Sequence, residues 1–91
     1  MTVSLTVYGA TDCEDTARTR GLLKQLGIAF IEVNIDDDKS AEDFVIFINN
    51  GFRRTPTVVI AQNNEKLVVT EPSDSETEAI LRRSGLLPHG A

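Results

Sequence analysis

The 91-residue sequence contains one cysteine, one histidine and three prolines, and its longest apolar run is the five residues from Phe44 to Ile48. Each shortage removes a class of protein. A lone cysteine, Cys13, cannot close an intramolecular disulfide, so the chain is not a disulfide-stapled secreted mini-protein. Cys13 and His89 together cannot make an ordinary zinc site within one chain. The apolar runs fall far short of the roughly 20 residues that span a bilayer. Met1-Thr2-Val3-Ser4-Leu5 also lacks the basic segment and apolar stretch of a secretory signal. The expectation is a reduced, cytoplasmic protein with no membrane partner. Basic residues are scarce too: three lysines and six arginines stand against fourteen acids, for a net charge of −5, and they form no block. Without a basic patch to face phosphates, nucleic acid is not an expected partner.

What remains is ordinary globular material, 41% hydrophobic and 25% charged. A chain of this size buries roughly 60–65% of its unfolded surface, enough for one core. The expectation is a single domain over 1–91, with its core over about 3–87 and a C-terminal tail over 88–91 that carries His89.

Val3 to Tyr8 alternates apolar with small polar residues and predicts a strand running into Gly9. Thr11-x-x-Glu14 reads as a capping box for a helix over about 13–26, with Ala17, Leu22, Leu23 and Leu26 as its apolar positions and Gly27 as its stop. Ala29 to Ile35 predicts a second strand, and the intervening helix is long enough for a parallel crossover. The acidic turn Asp36-Asp37-Asp38 leads through Ser40-x-x-Asp43 to a helix over about 40–50, with Ala41, Phe44, Val45 and Ile48 on one face and Gly51 at its end. Thr57 to Ala61 and Lys66 to Thr70 predict an antiparallel hairpin turning at the Asn63-Asn64 pair. Ser73-x-x-Glu76 opens a last helix with Ile80 and Leu81 inward and Gly85 as its stop. The order is βαβαββα.

Cys13 stands where the first strand has ended and the first helix begins. Helix-start N–H groups and the helix dipole favour a thiolate over a thiol, and the thiolate is the form that attacks disulfides. Equally, a cysteine there can be a small buried hydrophobe. Asp12, Glu14 and Asp15 flank it with carboxylates, which oppose its ionisation. Pro56, in Thr55-Pro56-Thr57, precedes a strand expected to be central, where a residue without an N–H marks a strand's first position or a special backbone geometry.

Taken together, the βαβαββα order, Tyr8-Gly9-Ala10-Thr11-Asp12-Cys13 at the first strand-to-helix turn, Thr55-Pro56 before the third strand and Ser73-Asp74 opening the last helix resemble the glutaredoxin family. The likeness runs from about Val3 to Leu87 and is greatest to the bacterial branch of mycoredoxins and the redoxins serving ribonucleotide reductase. It implies a thioredoxin-like α/β fold, a four-stranded mixed sheet flanked by three helices. By the same resemblance Cys13 is the nucleophile, and Thr16 stands where a second, resolving cysteine would be. The site is then monothiol, and the Thr16 hydroxyl can hydrogen-bond the sulfur. The resemblance also makes Thr55-Pro56 a cis-proline segment pairing with the cysteinyl part of a bound thiol. Ser73 and Asp74 become the holders of a γ-glutamyl end, and Arg53 and Arg54 the cations nearest a glycyl carboxylate. Without that likeness these four residues read as solvated loop charge and a helix cap.

The leading expectation is a monothiol thiol–disulfide oxidoreductase with no tightly bound cofactor. It would act as a monomer on protein mixed disulfides, with glutathione or mycothiol as co-substrate. The sequence departs from the family pattern at Ala10, where many members carry lysine, and at Asp15, where many carry an aromatic. These departures support a rival reading, a redox-inactive interaction module using the same surface. A dimer bridged by an iron–sulfur cluster is the minor third reading, because the C-G-F-S motif of cluster carriers is absent.

Overall fold

The computed structural model describes residues 3–88, so His89 and all of the expected tail except Pro88 lie outside the described residues. The elements are β1 (Val3–Gly9), α1 (Glu14–Gln25), β2 (Ile31–Asn34), α2 (Lys39–Ile48), β3 (Thr57–Gln62), β4 (Glu65–Thr70) and α3 (Asp74–Arg83). The sheet runs β2-β1-β3-β4, with β1 parallel to β2 and antiparallel to β3, and β3 antiparallel to β4. This is the expected mixed sheet and helix count, and β3 is an inner strand, buried along Thr57 to Ile60.

One face of the sheet packs Leu5, Val7, Val58 and Ile60 against Leu23 of α1 and Ile80 and Leu81 of α3. Ile35, Ala41 and Val45 form a second cluster with Tyr8, Val33 and Phe44, so α2 covers the other face. Ile48, expected on the inner face of α2, is instead exposed. The stripe that α1 buries is Thr16, Thr19 and Leu23, whereas Ala17, expected inward, is exposed. Threonine offers a methyl group to the core, and its polar label hid the helical spacing, although only the Thr16 hydroxyl finds a hydrogen-bond partner and that of Thr19 is buried without one.

Several boundaries differ from the sequence reading for identifiable reasons. The Thr11-Glu14 capping box does not form. Asp12 takes a left-handed conformation (φ +58°), which sets Thr11 outside the helix and leaves Cys13 as an N-cap whose side chain makes no cap bond. Strand β2 is shorter than Ala29 to Ile35 because its pairing with β1 covers Thr6 to Gly9 against Ile31 to Asn34. Helix α2 starts earlier than expected, at Lys39, because the Asp38 carboxylate accepts the Ala41 N–H at 3.0 Å. The α3 cap is as expected, with the Ser73 hydroxyl accepting the Glu76 N–H at 3.1 Å and the Glu76 carboxylate accepting the Ser73 N–H at 2.9 Å.

The register sets the place of the site. Tyr8 lies beside Thr57 and Thr57 beside Thr70, while Gly9 lies beside Asn34. The C-terminal ends of β1, β2 and β4 and the N-terminal end of β3 therefore share one rim of the sheet. Cys13, Asp36, Pro56 and Ser73 are close sequence neighbours of those strand ends.

Gly9 is where α1 presses closest on that rim. A Cβ built there would stand 2.2 Å from Thr16 Cγ2, which neither the helix nor β1 can relieve without moving. Gly9→Ala is expected to destabilise the protein by about 1–3 kcal/mol through overpacking. Urea unfolding measures it, and an unchanged midpoint would show that this contact yields freely.

Candidate active site

Cys13 is partly buried at the start of α1. Its sulfur lies 3.4 Å from the Thr55 hydroxyl, which donates to it, and the thiol faces the Thr55 carbonyl at 3.6 Å. The Thr55–Pro56 peptide bond is cis. On the helix side Thr16 is buried, and its hydroxyl accepts the Ala10 N–H at 3.4 Å, leaving its own proton for the sulfur.

Burial pushes the Cys13 thiol up. The hydroxyls of Thr16 and Thr55 and the backbone N–H groups of Thr16 and Asp15 outweigh it, and together hold the group below the ordinary value of 9.0. The flanking acids, expected to oppose ionisation, do not reverse that balance. Asp12 and Glu14 are exposed, where water screens them, and Asp15 pairs with Arg18 at 3.0 Å. The arrangement therefore supplies a thiol at a helix start whose neighbouring donors favour its ionised form.

The Thr55–Pro56 segment is fixed from both sides. The Pro56 carbonyl accepts the Glu71 N–H at 2.8 Å, and the Thr57 hydroxyl donates to the Arg54 carbonyl at 2.9 Å. Asn49, at the end of α2, donates to the Thr57 hydroxyl at 3.1 Å and accepts the Thr70 hydroxyl at 2.6 Å, tying the start of β3 to the end of β4.

The structure brings Cys13, Thr16, Thr55 and Pro56 together and sets the other candidates around them. Ser73 and Asp74 line a groove of about 680 Å³ with Asp15, Arg18 and Glu71. Arg18 spans that groove, pairing with Asp15 and with Asp74 at 3.3 Å and donating to the Pro72 carbonyl at 3.0 Å. A second cleft of about 600 Å³ opens on the β2 side of Cys13, walled by Thr11, Glu14, Arg20, Glu32 and Asn34. Arg53 pairs with the Asp36 and Glu42 carboxylates. Arg54 pairs with Glu71 at 3.2 Å and lies over the Phe52 ring. Among the described residues, no group of three or more His, Cys, Asp or Glu side chains is arranged to hold a metal.

Sequence reasoning missed Arg18, Glu71, Asn34 and Asp36. The first of the three turn aspartates reaches back to the Cys13 loop, where its carboxylate accepts the Thr11 N–H at 2.9 Å. The usable signal was Asn34-x-Asp36 at a strand end, a pair of short polar side chains suited to binding nearby backbone.

Comparison with known proteins agrees with the fold. A family profile described as Glutaredoxin matches residues 5–65, a span that includes Cys13, Thr55 and Pro56. A candidate glutaredoxin of Mycobacterium tuberculosis (strain H37Rv) is 35% identical over 81 residues, covering 89% of this chain and 93% of its own. Among solved structures, reduced thioredoxin pre-protein from Schistosoma mansoni superposes with a TM-score of 0.66 at 20% identity, covering 89% of this chain and 77% of its own. The glutaredoxin-like protein NrdH-redoxin from Escherichia coli gives a TM-score of 0.59 at 21% identity, covering 82% of this chain and 92% of its own. At those identities the two structures speak for the thioredoxin fold alone.

Proposed function

Because this chain belongs to the glutaredoxin family, we propose that it is a monothiol thiol–disulfide oxidoreductase with Cys13 as its nucleophile. The observation that carries this reading is the sulfur at the α1 start, hydrogen-bonded by Thr55 and held below the ordinary thiol pKa. The Cys13 thiolate attacks the small-thiol sulfur of a protein mixed disulfide, and the protein thiolate leaves and takes up a proton. Cys13 is then joined to the small thiol. A second small-thiol anion attacks that sulfur, forms the free disulfide and returns Cys13 as thiolate. The net exchange converts one mixed disulfide and one thiol into one protein thiol and one small disulfide. Thr16, in the place of a resolving cysteine, keeps the second step intermolecular.

Glutathione or mycothiol serves as the co-substrate, and the setting is a reducing cytoplasm with the protein acting as a monomer. The Thr55-Pro56 backbone takes the cysteinyl part of the small thiol, and Ser73 with Asp74 takes its far end. Arg53 and Arg54 meet a terminal carboxylate by exchanging Glu42 and Glu71, respectively, for it. Phe47 and Phe52, 81% and 61% exposed, favour one alternative, an interaction module that binds a partner without redox chemistry. The test is incubation with a mixed disulfide of each thiol. A covalent adduct at Cys13 with the added mass of one small thiol less two hydrogens, followed by turnover when free thiol is supplied, is the expected result. Absence of both adduct and turnover with either thiol would overturn the reading.

A further inference from the structure

Asp36 lies outside the set of groups that touch the sulfur, yet its two carboxylate oxygens hold the two loops that meet there. Oδ2 accepts the Thr11 N–H at 2.9 Å, two residues before Cys13, and Oδ1 accepts the Arg53 guanidinium, two residues before Thr55. Asn34 completes the attachment: its side-chain amide donates to the Thr11 hydroxyl and its carbonyl oxygen accepts the Asp36 N–H, both at 2.9 Å. Thr11 lies beyond the end of β1 and Arg53 before the start of β3, so neither is held by the strand ladder. Between Gly9 and Cys13 the other contact is the long 3.4 Å bond from Ala10 to Thr16.

We propose that Asp36 is a positioning residue, a carboxylate clamp between the Thr11 and Arg53 loops that keeps the Cys13 sulfur within reach of the Thr55 hydroxyl. The proposal rests on the oxidoreductase reading for its purpose, although the placement of the sulfur can be measured without turnover. A carboxylate suits the task because it can accept a backbone N–H on one oxygen and a guanidinium on the other. The Asp36 carboxyl lies below the usual carboxylate range, through the Thr11 N–H first and the Arg53 guanidinium second, as a group bound on both sides should.

The test exploits a conflict of sign. Removing a nearby negative charge by itself eases thiolate formation and lowers the Cys13 midpoint. Releasing the clamp withdraws the Thr55 donor from the thiolate and raises it. In Asp36→Ala, titration of Cys13 by thiolate absorbance is expected to move up by about half a pH unit or more. At neutral pH, kcat/KM for a mixed disulfide then falls about threefold. The double variant Asp36→Ala/Arg53→Ala should shift no further than Asp36→Ala alone, because both substitutions open the same clamp. Asp36→Asn, which keeps one acceptor and loses the charge, should move less but in the same direction, and it carries the test if the alanine variant does not fold. A midpoint that falls or stays fixed in a folded variant overturns the clamp. Absence of turnover in the unsubstituted protein would count against the oxidoreductase reading, while the thiolate midpoints would still decide the clamp.

Discussion

Cys13→Ser is expected to abolish thiol–disulfide exchange while making the fold slightly more stable. A serine hydroxyl is not ionised near neutral pH and does not attack disulfide sulfur, so turnover should fall to the uncatalysed background. The stability effect has the opposite sign. Cys13 occupies the N-cap of α1 with extended backbone (φ −98°, ψ 112°) and makes no side-chain cap bond, whereas serine is among the preferred N-cap residues. A cap bond to the first-turn N–H groups contributes about 0.5–1 kcal/mol. Parallel turnover measurements and urea unfolding at acidic pH, where the Cys13 thiol is protonated in both states, should therefore diverge, with activity lost and the unfolding midpoint unchanged or raised. Full exchange activity in this variant would rule out Cys13 as nucleophile. Full cellular function without exchange would favour an interaction module.

The second large effect is expected for Thr16→Val. Valine fills the same space beneath Gly9, but the sulfur loses a donor and the Ala10 N–H loses its acceptor. A hydrogen bond to a charged group contributes about 1.5 kcal/mol, so the Cys13 pKa should rise by about one unit and kcat/KM at pH 7 should fall up to about tenfold. The pH–rate profile should move bodily toward higher pH, and an unmoved profile would show that the hydroxyl does not serve the thiolate.

The same pKa governs stability. The folded-state pKa of Cys13 lies below the ordinary value of 9.0. At low pH the thiol is protonated in both states and adds nothing. Between the folded and ordinary values the folded chain alone is ionised, so stability rises with pH until both states are ionised. Thr16→Val should narrow that window, which equilibrium unfolding at a series of pH values would read directly.

The order of elements was legible because strand alternation, cap residues and turn residues all act over a few positions. Ser73 and Glu76 cap α3 where the spacing placed them, and the asparagine pair turns the hairpin, with Asn63 at φ +56°. Of the core stripe of α1 only Leu23 was legible, since Thr16 and Thr19 look polar until the sheet above them is known. Cys13 and Thr55 stood out separately, but their distance depends on pairing β1 against β3. Asp36 was the least visible, as its partners lie 25 and 17 positions away and only the shared rim of the sheet brings them together. Local chemistry thus marked Cys13 as a candidate, and tertiary register brought to it the groups that bond and hold it.

The bond between Cys13 and Thr55 joins residues 42 positions apart. A chain that has lost its tertiary pairing keeps the thiol but not the donor, and its sulfur reverts toward the behaviour of a free cysteine. The reactivity of this thiol is thus a gauge of the chain's own integrity. Newly made or damaged copies would lack that donor until the sheet closes, and the thiolate absorbance of Cys13 would follow folding without any added label.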